Sequence, residues 1–157
     1  MQRILILTAL TAAIGLPALA PPLSAAEALV GTWRLMRQEV NGQAGDFEPL
    51  TLQVAQTGEK LSFAFSMPVN DIYFVTLTYT LRLDGSGADI KNANGQKIGT
   101  IQMTRTASQY TFSMKGPGRP DSQGTLTVSA DGKTLISESG ATQSGRPMHS
   151  KQTFTRY

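Results

Sequence analysis

Tyr73-Phe74-Val75-Thr76-Leu77-Thr78-Tyr79-Thr80-Leu81-Arg82-Leu83 decides the fold class. Tyr73, Val75, Leu77, Tyr79, Leu81 and Leu83 occupy alternate positions, and Thr76, Thr78, Thr80 and Arg82 fill the gaps. Alternation with period two puts successive side chains on opposite faces, so the stretch reads as a β-strand with one apolar face. Thr, Val and Tyr fit the pleated surface of a sheet better than a helix.

The same pattern recurs on either side. Leu29, Gly31, Trp33 and Leu35 share one face of a first strand. Leu50, Leu52 and Val54 alternate with Thr51, Gln53 and Ala55, and Leu61, Phe63, Phe65 and Met67 with Ser62, Ala64 and Ser66. Further on come Ile101 and Met103, then Tyr110, Phe112 and Met114, then Leu126 and Val128, then Leu135, then Met148 and Phe154. Turn residues separate these runs: Asn41-Gly42, Thr57-Gly58, Asp84-Gly85, Asn94-Gly95, Gly116-Pro117-Gly118, Asp131-Gly132 and Ser144-Gly145. Such pairs reach positive φ at low cost and favour tight hairpins. A short helix near Met67 to Tyr73 is disfavoured by Pro68 and Asn70, which point to a loop.

Sequential hairpins with one apolar face leave a closed barrel or a sandwich. No long crossover is visible, so the expectation is a single up-and-down antiparallel β-barrel of 8–10 strands.

Residues 1–26 read as a signal peptide. Arg3 supplies the positive charge, Ile4 to Leu16 the apolar stretch, and Ser24-Ala25-Ala26 the small residues before the cut. Pro21 would obstruct cleavage after Ala20, so cleavage is placed after Ala26. The apolar stretch is shorter than the roughly 20 residues a bilayer span needs. The expected barrel domain is 27–157, which is 131 of the 157 residues. It is exported, to the periplasm or outside the cell, with no membrane insertion after signal removal.

Composition narrows the chemistry. There are no cysteines, which excludes disulfides and thiolate ligands. Loss of Arg3 leaves 13 basic residues against 11 acidic ones, a net charge of +2 with no basic cluster. A nucleic-acid groove needs a basic stripe, so none is expected. His149 is the only histidine, so neither a His-rich zinc site nor a catalytic triad is supported. Asp84 to Asp89 looks like a calcium loop, but Gly95 stands where the acid at position 12 belongs. Gly85 and Gly87 lack the third glycine of a dinucleotide fingerprint. No catalytic residue, metal or cofactor is expected, and the chain is not read as an enzyme.

By strand parity Glu39, Arg105, Glu138 and Arg156 fall on inward faces. Charges inside a small barrel are costly unless paired or matched by a polar ligand. Either they sit at the barrel ends in water, or Arg105 meets an acidic headgroup while Phe63, Phe65, Tyr79, Phe112 and Met114 line the site. Those same aromatics serve equally as plain core.

Gly31-Thr32-Trp33 on the first strand, with Arg156 on the last, resembles the lipocalin (calycin) pattern. The run Ser129 to Leu135, then Gly145-Arg146-Pro147 and the final aromatic strand, looks like small exported bacterial lipocalin-like proteins. The resemblance spans nearly all of 29 to 157. It implies that Gly31, Trp33 and Arg156 close one end of the barrel, with the guanidinium across the indole. It also implies non-covalent binding of a small hydrophobic or amphipathic molecule that enters from the other end. A protein-interaction or protease-inhibitor module is the alternative, with Glu27 to Val30 lying in a partner's cleft. An enzyme within the barrel is a third reading, and it needs Glu39 or Glu138 buried close to Arg105.

Overall fold

Positive φ is concentrated at the hairpin turns. Asn41-Gly42 and Ser144-Gly145 turn the chain with both residues at positive φ (51° and 79°, 50° and 76°). That is the type I′ combination, whose twist matches the flanking strands. The computed structural model, which describes residues 28–70, 72–106 and 109–157, has strands β1 (Gly31–Val40), β2 (Gln43–Ala44), β3 (Thr51–Thr57), β4 (Lys60–Val69), β5 (Ile72–Arg82), β6 (Ala88–Asn92), β7 (Lys97–Arg105), β8 (Tyr110–Gly116), β9 (Arg119–Val128), β10 (Thr134–Gln143) and β11 (Arg146–Arg156), and these two turns join β1 to β2 and β10 to β11. The expected signal peptide lies outside the described residues.

From β3 onward each strand pairs antiparallel with the next, β1 pairs with β3, and β11 returns to β1. Ten strands therefore close an up-and-down barrel, with the two-residue β2 appended to the end of β1. Lipocalins close with eight. The seam between β5 and β6 is the shortest, with only Leu77↔Asn92 and Thr78↔Lys91 in register.

Met67 to Val69 pair with Ile72 to Phe74 as two arms of a hairpin, where a loop was expected. β4 runs to Val69 and β5 starts at Ile72, with Asn70 at φ 50°. Pro68 is tolerated because β3 stops pairing at Thr51↔Ser66, so no ladder bond is required on that side.

One end of the barrel is a solid floor. Trp33 is fully buried and stands directly across the ladder from Arg156. The Arg156 Cζ lies 4.3 Å from the indole centroid. Its Nε donates to the Gly132 carbonyl (2.7 Å), Nη1 to Val30 (2.7 Å) and Nη2 to Ala28 (2.6 Å). Trp33 Nε1 donates to the Leu29 carbonyl at 2.9 Å. Gly31 has a spacing reason as well. At φ 145°, an added Cβ would come within 2.6 Å of Arg156 Nη1. Leu29 is fully buried under this floor. The segment before β1 is thus pinned to the barrel, and residues 28 to 30 are not free to enter a partner's cleft.

The turn that receives Arg156 is set by Asp131. Ser129 Oγ (2.5 Å) and the Lys133 amide (3.0 Å) donate to its carboxylate, and these bonds hold its pKa below the usual aspartate value, the Ser129 hydroxyl most. Asp84 is lowered in the same way by the Ser86 hydroxyl and amide. A lowered native pKa stabilises the fold above the unfolded value and stops doing so as pH falls through the native one. Denaturation midpoints should therefore be flat from neutral pH to about pH 5 and then decline toward pH 2. Asp131→Asn should flatten part of that decline.

Tyr110 is buried, with its hydroxyl unpartnered among the described residues. An orphaned buried hydroxyl costs roughly 1–3 kcal/mol of desolvation. Tyr110→Phe is therefore expected to raise stability by about 1 kcal/mol in urea denaturation.

Candidate ligand cavity

Above the floor the barrel is hollow. A cavity of about 350 Å³ is lined by residues of β3 to β11 and the chain just before β3. Its apolar wall comes from the first part of that set: Leu50, Leu52, Phe65, Leu77, Tyr79, Ile90, Ile98, Ile101, Met103, Phe112 and Met114. Period two places most of them there; Ile98 is of opposite parity to Ile101 and Met103 and enters at the bulge where Ile90 pairs with Gly99 and Lys91 with Lys97. Neither Trp33 nor Leu29 lines it. Lys115, Gly116 and Pro120 beside the β8–β9 turn do, so the cavity opens at the rim opposite the floor.

The opposite wall carries polar side chains between Leu126 on β9 and Phe154 on β11. Ser122 on β9, Ser137 and Ser139 on β10, and Gln152 on β11 face the same space. Gln152 Nε2 donates to Gln38 Oε1 at 3.1 Å. Thr76 also borders the cavity, but its hydroxyl is engaged by the Phe65 carbonyl (3.2 Å) at the bulge where Ser66 pairs with Val75. Lys115 is the charged lining residue among the described residues. It sits at the rim, largely exposed, with Asp121 Oδ2 at 3.9 Å.

Of the residues expected to contact a ligand, Phe65, Tyr79, Phe112 and Met114 line this cavity together. Phe63 lies behind it, fully buried and stacked on Tyr79 with ring centroids 4.7 Å apart. Burial holds the Tyr79 hydroxyl un-ionised, well above the ordinary tyrosine range. Arg105 is elsewhere. It ends β7 opposite Tyr110 at the floor end and is exposed. Its parity with Ile101 and Met103 is inward, but it is the last residue of β7 and its side chain reaches solvent at that end of the barrel.

Two further parity assignments are reversed. A bulge between Leu35 and Arg37 leaves Met36 exposed, so beyond it Gln38 faces in and Glu39 faces out. Glu39 pairs with Arg37 (2.8 Å) on the outer surface. On β10 it is Leu135 that is buried, not Ile136, so Ser137 and Ser139 point inward. Glu138 then faces out and pairs with Lys151 at 2.9 Å. Neither acid approaches Arg105 inside the cavity. No group of His, Cys, Asp and Glu among the described residues could hold a metal ion.

The polar wall was not singled out from the sequence, although Ser137 and Ser139 stand two and four residues after Leu135, and Gln152 two before Phe154. Consistent parity from those buried anchors finds all three.

The rim carries one more feature. The tip of the β4–β5 hairpin projects beyond the wall, with Val69, Ile72, Tyr73, Phe74 and Val75 all exposed. Tyr73 is tied back to the outside of β1, where Arg34 Nη2 donates to its hydroxyl at 3.4 Å.

No protein-family model matches the chain, and no curated protein matches it by sequence. Solved structures do share its shape. The zebrafish ileal bile acid-binding protein complexed with cholic acid superposes with a TM-score of 0.59, at 19% identity, covering 83% of this chain and 99% of that one. A mutant of the fluorescent protein UnaG gives a TM-score of 0.57 at 15% identity, covering 83% and 97%. At these identities the likeness is one of fold: a ten-stranded up-and-down antiparallel barrel.

Proposed function

We propose that this protein is exported and binds a small apolar or amphipathic molecule non-covalently inside its barrel. The supporting observation is the cavity itself, about 350 Å³, walled by apolar side chains and open at one rim. Its size lies at the lower end for small-molecule sites, so it suits a compact ligand. That a barrel of similar fold was solved with cholic acid adds to this reading. The role proposed is that of a carrier; the enzyme reading that needed Glu39 or Glu138 buried near Arg105 loses its support, since both acids pair on the outer surface. Titration of the mature chain with an apolar fluorescent dye should show saturable binding at one site. Phe112→Trp and Met114→Trp, which fill the cavity, should weaken it. Absence of saturable binding would sink the proposal. For export, the mature N-terminus recovered from periplasm or medium should be Glu27.

A second reading, interaction with protein, is favoured by the β4–β5 tip. Among the described residues, Ile72 to Thr76 have no ladder partner on β6, and no charge occurs from Ile72 to Leu81. An uncharged open edge is a template for pairing with a further strand. A second copy of this chain, edge to edge about a two-fold axis, satisfies it. Light scattering should then show a dimer that Phe74→Lys dissociates, and a monomer at all concentrations would exclude it.

A further inference from the structure

We infer that the cavity takes an amphipath whose polar group is uncharged, a hydroxyl, ketone, ester or amide, held against the wall formed by Ser122, Ser137, Ser139 and Gln152. This rests on the binding reading above and specifies its ligand.

The first argument is the charge of the interior. Among the described residues no cationic side chain faces the inner part of the cavity. Lys115 is at the rim, and its partner Asp121 offsets it. Arg156 is committed to the floor by three carbonyls and the Trp33 ring. Arg105 is outside. A carboxylate drawn into this space would leave water and meet no opposite charge, the least favourable arrangement for a buried ion. An uncharged polar group has no such penalty.

The second is the supply of neutral partners. The hydroxyls of Ser122, Ser137 and Ser139 make no hydrogen bond to protein among the described residues, and each lies on the cavity wall. A hydroxyl donates and accepts, so three of them serve either a ligand alcohol or a ligand carbonyl. Gln152 gives its amide N–H to Gln38, and its side-chain oxygen remains as an acceptor. Register keeps the group together. Ser137 stands opposite Gln152 on β11, and Gln152 opposite Gln38 on β1, so the strip crosses three strands at one depth. It lies one inward step above Leu135 and Phe154, which are fully buried. The cavity wall is thus apolar on β3–β7 and most of β8, while the neutral polar groups are confined to β9–β11, interspersed there with Leu126 and Phe154.

The test is a competition on the full mature chain. Dodecanol and dodecanoate, which differ in the head group, each displace a bound apolar dye at neutral pH and at about pH 5, where part of the acid is protonated. Dodecanol should bind at least about tenfold tighter at neutral pH, and the gap should narrow at the lower pH. Partition into any apolar hole also favours the alcohol, so the wall is tested separately. Ser137→Ala combined with Gln152→Leu should weaken dodecanol by about tenfold and dodecanoate by less than about twofold. Dodecanoate binding as tightly as dodecanol at neutral pH would overturn the assignment and leave the binding reading intact. So would a double variant that keeps its preference for the alcohol. A dye that never binds would instead overturn the binding reading and this assignment with it.

Discussion

Trp33→Ala should destabilise the protein by about 3 to 5 kcal/mol, the range for emptying a fully buried aromatic site. In a domain of this size that is a fall in Tm of roughly 10 °C or more. The indole has no exposed surface, and it donates to the Leu29 carbonyl. It also faces the Arg156 guanidinium. Removing it opens a hole between the helical residues Ala28–Leu29 and the first ladder, and leaves the Leu29 carbonyl without its indole donor. Trp33→Phe keeps most of the volume and should cost less than half as much. Thermal unfolding by far-UV circular dichroism measures both. A Trp33→Ala protein within 1 °C of the parent would show that the floor is not held by this residue.

Arg156→Met carries the second large effect, about 3 kcal/mol or more. The guanidinium donates to carbonyls from the chain before β1 and from the β9–β10 turn, at 2.6 to 2.7 Å. Met fills similar space but leaves Ala28, Val30 and Gly132 with unmet acceptors. Each hydrogen bond to a charged group is worth about 1.5–3 kcal/mol, and three sharing one side chain are not additive. Arg156→Lys should recover less than half, because an ammonium cannot aim donors in three directions from one plane. A double-mutant cycle with Trp33→Phe should give a coupling of about 0.5 to 2 kcal/mol if the cation sits over the ring. Gly31→Ala should reproduce part of the loss, since its Cβ would displace Nη1. Stability of Arg156→Met within 0.5 kcal/mol of the parent, read from urea midpoints, would remove Arg156 from the floor's support.

The floor was legible because its parts are chemically unusual: a lone tryptophan, a glycine two residues before it, and an arginine where an apolar residue is due. The aromatic wall was legible because period two holds from Leu61 to Phe65, from Leu77 to Leu81 and from Tyr110 to Met114, between the bulges. Where the parity failed, it failed at identifiable places. Leu135-Ile136 offers two adjacent apolar side chains, so alternation alone does not say which is inside. The bulge at Met36 adds one residue to β1 and exchanges the faces of Gln38 and Glu39. Arg105 keeps the inward parity of β7 but is the strand's last residue, where the side chain reaches solvent. The projection of the β4–β5 hairpin was hidden for a related reason. An apolar run reads as a buried strand whether or not neighbours reach far enough to cover it.

By itself the sequence determined the all-β class, the order of hairpins, the closed end at Trp33 and the lack of any cysteine. These depend on residue type and local period, which the chain carries in any conformation. The tertiary structure decided that ten strands close the barrel, that its interior is partly empty, and that serines and a glutamine, not Arg105, face that space. Those outcomes depend on register and on how far each strand extends beyond its neighbours. Register is fixed only when every strand finds its partner, and a single added residue reverses which side chains look inward.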